Sequence, residues 1–357
     1  MNVAVLFGGK SSEHDISVLT GMLTINAIKN HTVLPIYIGK DGKWRYSRQF
    51  TSVNSLSKKF KEVCLHPFDS NLYSVSGKKL GELDVAIICC HGAYGEDGAL
   101  AGVLEHSNIP YAPGGVLAGA VGMDKVSQKR IFRDSGIDVL DFVSIDKIDY
   151  KKDIYFYSTL LKDMFPVIIK PASLGSSIGI EVAQDFKEFF CAADKAFDYD
   201  DRIIVEKALI GFKEYNCAVL GFGDDVIVSQ IEQPITQKNF LDYTDKYSYS
   251  CGATRVFPAQ IDDELKQKIV DTSKKAFKLL KCWGVARIDF LYLDKLYLNE
   301  INTVPGSMSS YLFDYDGMNF TALTQKLIDS AYESAKQKSK LSRVFDNFLL
   351  NDTKMLK

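Results

Sequence analysis

Runs of apolar residues closed by glycine open the chain. VAVLFGG at residues 3–9 is followed by apolar positions at helical spacing over 17–28. TVLPIYIG at 32–39 and LDVAIICCHG at 83–92 come next, then a helical stretch over 98–106. Strand-like runs alternating with helical ones predict a parallel sheet flanked by helices. The Pro/Gly cluster PYAPGG at 110–115 marks a boundary. Beyond it, residues 117–136 read as helix and PVIIKPASLGSSIGIEV at 166–182 as two strands joined by a Gly/Ser turn. IIVEKAL from Ile203 and EYNCAVLGFGDDVIVSQIEQP from Glu214 alternate like antiparallel strands. Residues 235–258 are polar and rich in Tyr, which predicts an extended loop long enough to serve as a lid. A helix is expected over 262–281, where Leu265, Ile269, Val270, Ala276, Phe277 and Leu280 fall at helical spacing. ARIDFLYLDKLYLNEIN at 286–302 reads as a hairpin turning at Asp294 and Lys295.

Composition narrows the class. A chain of 357 residues that is 46% apolar has material for two or three cores. A formal net charge of -2 gives no overall field to attract nucleic acid or an anionic membrane, so neither is an expected partner and any anion must be held locally. No apolar run approaches the roughly 20 residues of a membrane span, and the opening strand, broken at Gly8, does not resemble a signal peptide. Seven cysteines lie in apolar stretches without metal-ligand spacing, the pattern of buried thiols in a reducing cytoplasm. Every histidine lies at or before His106. That argues against zinc in the C-terminal part and for a hard cation held by oxygen.

Four segments carry chemistry. In the predicted hairpin, Asp289 stands on one strand while Glu300 and Asn302, two apart on the other, share a face. Three oxygen side chains so placed suit Mg²⁺, which takes one or two carboxylates and completes its octahedron with phosphate and water. Arg287 alternates onto the face of Asp289, and the turn TVPG follows at once. Second, Lys170 interrupts an apolar strand, where an ammonium is costly unless it meets an anion. Gly175, Ser176 and Ser177 after it offer backbone N–H groups and hydroxyls suited to phosphate, without the spacing of a Walker loop. Third, HGAYGEDGALAG at 91–102 falls where a strand ends and a helix begins, the ligand-binding edge of open α/β sheets, with His91 and Glu96 as candidates and Asp97 as either a cap or a ligand. Fourth, FGGKSSEHDIS at 7–17 lacks G-x-G-x-x-G but brings Glu13 to the same edge, where an acid can hold an ammonium group.

Together these segments, in this order from Val3 to about Ala331, resemble the D-alanine–D-alanine ligase family of the ATP-grasp superfamily. HGAYGEDGALAG and residues 280–306 fit that family's two signature patterns, apart from a slightly shorter hairpin connection. The resemblance implies an α/β (α+β ATP-grasp) fold with an N-terminal domain over 1–114, a central ATP-grasp domain over 115–203, a C-terminal one carrying the metal site over 204–345, and a tail over 346–357. By the same resemblance Lys125 and Lys170 meet ATP phosphates beneath Ser176 and Ser177. Glu206, Lys207 and Leu209 meet adenine and Glu214 the ribose, while Asp289, Glu300 and Asn302 bind two Mg²⁺, replaceable by Mn²⁺. Glu13 would hold the ammonium of a first D-alanine oriented by His91 and Glu96, and Arg287 with the Gly306 N–H would receive the oxyanion. Lys246 and Tyr247 in DYTDKY match the lid pair of relatives that use an amino acid second, with Tyr247 closing on Ser176 and Glu13.

The chain leaves the pattern after TVPG. Tyr311 stands where the family has a serine that contacts the second substrate, so Ser309 or Ser310, with Leu312, are the expected replacements. The resemblance thus implies a cytoplasmic, homodimeric enzyme that joins two D-alanine molecules for peptidoglycan precursors at the expense of ATP. Ligation of D-serine, or another ATP-grasp carboxylate–amine ligation, stands as the alternative.

Overall fold

The computed structural model describes residues 1–57, 59–235 and 254–344. Its first layer is an eight-stranded sheet. Asn2–Gly8 sits inside it, parallel to Thr32–Ile38 on one side and Val85–Ile88 on the other, with Tyr111–Ala112 parallel beyond. From Val3 to Phe7 every side chain of the first strand is fully buried, the continuous apolar run of a strand covered on both faces. The predicted parallel sheet is therefore only half of the layer. Trp44–Tyr46, Lys61–His66, Asp69–Ser74 and Lys79–Glu82 extend it in antiparallel order. These strands are short and mostly half-exposed, so they lack the apolar runs that mark the others.

The first helix, His14–Ala27, begins a turn earlier than its apolar spacing indicates, because its first turn is polar yet packed. The single helix expected over 117–136 is two, Val116–Met123 and Lys125–Asp134. Asp124 between them is extended and its carboxylate accepts the Ser127 N–H, so it caps the second helix and ends the first.

Two four-stranded antiparallel sheets follow. The central one runs Glu181–Ala183, Val167–Pro171, Arg202–Lys207, Phe142–Asp146. The other runs Asp225–Val228, Lys213–Phe222, Trp283–Tyr292, Leu296–Asn302. Arg202–Lys207 belongs wholly to the central sheet, so the passage between sheets falls after Lys207 and not at 203. The central sheet packs its own core, with Phe189, Ile169 and Val205 fully buried. The last sheet packs one face, with Val219 and Ile288, against Phe277 of the helix Asp263–Leu279 and shares a core with the first layer on the other. Ala218, Leu220 and Val285 join Val3–Phe7 in one cluster that also takes in Leu323 and Leu327 of the helix Phe320–Ser339. Gly284 marks their contact: at φ 76° it lies in the left-handed region, and a β-carbon there would stand 2.9 Å from Pro113 Cα.

The long polar segment is not loop throughout. Its ends, Gln233–Ile235 and Thr254–Val256, pair as an antiparallel ribbon. Lys246 and Tyr247 lie outside the described residues, as does the tail over 346–357.

Candidate active site

A cavity of about 890 Å³ opens where the two antiparallel sheets and the first layer meet. One end is apolar, with Leu140, Ile168, Val182, Leu209, Phe212 and Leu291 on its wall beside Lys207 and Glu214. The middle is ionic, formed by Lys125, Lys170, Ser176, Ser177, Glu300 and Asn302. The far end is bounded by Glu13, His91, Glu96, Arg287 and the turn from Gly306 to Tyr311.

Alternation along Val167–Pro171 places Lys170 on the cavity side of the central sheet, 7% exposed. Its ammonium donates to Glu206 Oε2 at 2.6 Å, and Lys129 Nζ stands 2.7 Å from Glu206 Oε1. Glu206 is fully buried and is not on the cavity wall. Its carboxylate turns to the helix Lys125–Asp134 and forms a buried ion triad with Lys129 and Lys170. Burial alone would raise this carboxyl, but Lys129 and Lys170 override it and hold it down to about 2. Lys129 was not apparent from the sequence. Its signal was there, one turn after Lys125 on the same helix face.

Lys125 Nζ donates to the Leu174 carbonyl at 2.8 Å and stands 3.7 Å from Glu300 Oε2. It thus joins the Gly/Ser loop to the hairpin. Ser176 and Ser177 are left-handed, at φ 57° and 58°, and the Ser176 hydroxyl donates to Glu13. A β-carbon at Gly175 would come 2.7 Å from Glu13 Oε2, so a larger residue there would displace that carboxylate.

In the hairpin, Asp289 pairs with Glu300 and Arg287 with Asn302 across the strands, so all four meet on one face. Arg287 donates from Nε and Nη2 to the two oxygens of Asp289 at 2.7 and 2.8 Å, and Asn302 Nδ2 donates to Asp289 Oδ2 at 3.1 Å. Burial works against the Arg287 charge, but Asp289 outweighs it and raises the group well above its ordinary value. A carboxylate offers about four lone-pair positions, so Asp289 can keep Arg287 and still meet a cation. Two acids and an amide oxygen are hard donors of the kind Mg²⁺ accepts, with the remaining positions left for phosphate and water.

His91 is 3% exposed. Its Nδ1 lies 2.6 Å from the Val304 carbonyl, which can only accept, so Nδ1 carries the proton and Nε2 accepts from Thr20 Oγ1 at 2.9 Å. Burial lowers its pKa, and the ring is a neutral brace between the first layer and the hairpin's exit turn. Thr20 Oγ1 in turn accepts the Ser307 N–H at 3.0 Å. Glu96 is pushed up to about 8, first by burial and next by Glu13, while the Gly92 N–H donates to it. Asp97 accepts N–H groups from Tyr94 and Ala99, the structural alternative of its two readings.

Past Gly306, Ser307, Met308 and Ser309 are all left-handed, with φ between 49° and 52°, a conformation costing roughly 1–2 kcal/mol per non-glycine residue. The tight coil turns Ser309 and Leu312 inward, both 0% exposed, and Leu312 joins the core shared with the first layer. Neither lines the cavity, which corrects both as second-substrate candidates; Ser310 and Tyr311 do line it. The Tyr311 hydroxyl donates to Glu232 Oε1 at 2.6 Å, and the Arg255 guanidinium lies 4.8 Å from the Tyr311 ring centroid. Neither is apparent from the sequence: Glu232 falls in a run that reads as strand and Arg255 in a polar segment that reads as loop, and only the fold brings them together.

A nucleotide-sized cleft between two antiparallel sheets, with lysines on one and hard oxygen donors on the other, defines an ATP-grasp enzyme. The family model described as D-ala D-ala ligase N-terminus matches residues 2–114, and the D-ala D-ala ligase C-terminus matches 131–329. The D-alanine–D-alanine ligase of Thermosipho africanus is 38% identical over 97% of this chain and 98% of its own length. That of Caldicellulosiruptor bescii is 36% identical over 96% and 98%. Among solved structures, the D-alanine–D-alanine ligase from Coxiella burnetii superposes with a TM-score of 0.84 at 29% identity, covering 95% of this chain and 96% of that one. The VanG D-Ala:D-Ser ligase from Enterococcus faecalis gives 0.81 at 28%, over 92% and 99%. The chain belongs to the D-alanine–D-alanine ligase family.

Proposed function

We propose that the protein joins two D-alanine molecules into D-alanyl-D-alanine while converting ATP to ADP and phosphate. The observation that carries this reading is the convergence, on one cavity, of Lys125 and Lys170 with Asp289, Glu300, Asn302 and Arg287.

The first D-alanine enters with its ammonium at Glu13, near neutral His91 and protonated Glu96. Its carboxylate attacks the γ-phosphorus of ATP, the bond to the β-phosphate oxygen breaks, and ADP leaves behind a D-alanyl phosphate. The amine of the second D-alanine, having lost a proton, attacks the acyl carbon. The oxyanion so formed lies at Arg287 and the Gly306 N–H, and its collapse expels inorganic phosphate. Lys125 and Lys170 neutralise phosphate charge under the loop of Ser176 and Ser177, the protein's main contribution to such transfers. Asp289, Glu300 and Asn302 would hold two Mg²⁺, or Mn²⁺ in their place, which supply further neutralisation of the phosphates when bound. Adenine fits the apolar end against Lys207 and Leu209, with the ribose at Glu214.

The three parts act as an N-terminal substrate domain and two ATP-clamping domains in a cytoplasmic homodimer that supplies peptidoglycan precursors. No helix among the described residues is long and apolar enough to cross a membrane. Phosphate release from ATP with D-alanine as the sole amino acid tests the reading, and no release would refute it. D-serine as second substrate is the second reading, favoured by the likeness to a D-Ala:D-Ser ligase and by the unusual Tyr311. Product analysis with both amino acids present separates the two.

A further inference from the structure

We propose that Arg255 and Glu232 form the two charged ends of the subsite for the attacking amino acid, Arg255 taking its carboxylate and Glu232 its ammonium group, with Tyr311 holding Glu232 in place. This rests on the ligase reading above and names the groups that select the second substrate.

An α-amino acid enters as a zwitterion and needs a cation and an anion a few ångströms apart. Among the described residues, the cationic side chains on the cavity wall are Lys125, Lys170, Lys207, Arg255 and Arg287. Lys170 is committed to the ionic middle by Glu206 and Lys125 by the Leu174 carbonyl at 2.8 Å, and Lys207 stands at the apolar end. Arg287 spends its Nε and Nη2 on Asp289. Arg255 differs. Its contact with Glu232 Oε2 is 3.5 Å, longer than a charge-assisted hydrogen bond, and its side chain remains 53% exposed at the cavity. Its guanidinium is thus held over the Tyr311 ring and has donors for an incoming carboxylate.

Glu232 is the opposite case, its side chain only 6% exposed. Its backbone exchanges both hydrogen bonds with Asn216, at 2.9 and 3.0 Å, and its Oε1 accepts from Tyr311. So fixed, the carboxylate presents its Oε2 side toward Arg255 and the cavity. The loose Arg255–Glu232 pair is the mirror image of a zwitterion, and an amino acid inserted between them replaces one long contact by two close ones. Neither charge reads the amino-acid side chain, so D-alanine and D-serine meet them alike. A 2-hydroxy acid such as D-lactate has no ammonium group and faces Glu232 without a counter-charge.

The experiment uses the full chain with ATP, resolving the two Michaelis constants in the two-site D-alanine dependence and offering D-lactate as a competing second substrate. Arg255→Ala is expected to raise the second constant at least about tenfold, a charged hydrogen bond's worth, while the first constant and that for ATP stay near wild type. Arg255→Lys should recover part of the loss. Glu232→Gln, and more weakly Tyr311→Phe, should lower the preference for D-alanine over D-lactate by about tenfold. A thermal melt for each variant separates these effects from unfolding; should Arg255→Ala not fold, Arg255→Lys and Glu232→Gln carry the test. A folded Arg255 variant with its second constant within about twofold of wild type, or a Glu232→Gln preference unchanged, overturns the inference. Wild-type protein that releases no phosphate with D-alanine overturns the ligase reading instead.

Discussion

Replacing Glu206 by Gln should cost the fold more than any change on the cavity surface. The carboxylate is fully buried between Lys129, 1% exposed, and Lys170, 7% exposed. Its displacement from 4.5 to about 2 corresponds to roughly 3 kcal/mol of preference for the ionised form in the folded state. Removing one member of a buried charge set leaves the others uncompensated, which typically costs about 3–5 kcal/mol. With an unfolding entropy near 2 cal/mol/K per residue, that cost lowers the midpoint by about 4–7 °C for a chain of this size. The sign of the pH dependence follows from the lowered carboxyl. Its stabilisation is complete above the unfolded value of 4.5 and is lost as pH falls toward 2, so wild type should lose stability over that window and Glu206→Gln should lack this share of the loss. Lys129→Met is the control. It leaves Lys170 and Glu206 as a one-to-one pair at 2.6 Å and should cost less than Glu206→Gln. Calorimetric and urea unfolding at pH 7 and in steps from about pH 4.5 down to about 2.5 read all of this. A Glu206→Gln protein within about 0.5 kcal/mol of wild type, or a Lys129→Met protein less stable than it, would refute the charge argument.

Other consequences are simpler to state. Glu96, raised to about 8, is protonated at neutral pH and its contribution to stability declines as pH rises from 4.5 through 8; binding of the first D-alanine by the folded protein should change only as pH approaches 8, and Glu96→Gln should flatten that limb of the pH profile. Asp289→Asn should abolish most turnover, by a hundredfold or more, and weaken Mg²⁺-ATP binding measured by calorimetry; unchanged turnover would remove this residue from the proposed metal set. Leu312→Ala should lower stability by about 2–4 kcal/mol as a core truncation and leave the second-substrate constant in place, in keeping with its complete burial.

What the sequence made legible is what local periodicity controls. Glu300 and Asn302 share a face by strand alternation, while Asp289 meets them across the hairpin because the register shifts by one residue between Asp289 and Phe290, a bulge that alternation does not announce. Lys170 declared itself as an ammonium in an apolar run. The antiparallel half of the first layer did not, because strands such as Trp44–Tyr46 and Asp69–Ser74 carry too few buried positions to be told from loop. The ion triad around Glu206 was not legible either. Its partners come from a neighbouring strand and a helix, and only the register between these elements decides whether its carboxylate faces ligand or lysine. Ser309 and Leu312 failed for a related reason. Three successive left-handed residues wind the chain after Gly306, a path that no propensity of Ser or Met announces.

The winding after Gly306 also has a cause within the site. The Ser307 N–H is tied to Thr20 Oγ1, Thr20 to His91, and His91 to the Val304 carbonyl, closing a ring of contacts between the first helix and the hairpin's exit. A residue coil costing a few kcal/mol persists only where its surroundings over-determine it, and this ring, together with burial of Met308 in the shared core, does so. The strain therefore serves geometry. It swings Ser309 out of the cavity and brings Tyr311 in, against Glu232. The substitution of tyrosine for serine at 311 and the coil that presents it belong to one arrangement, in which the second substrate is met by a ribbon residue, Arg255, and not by the turn alone.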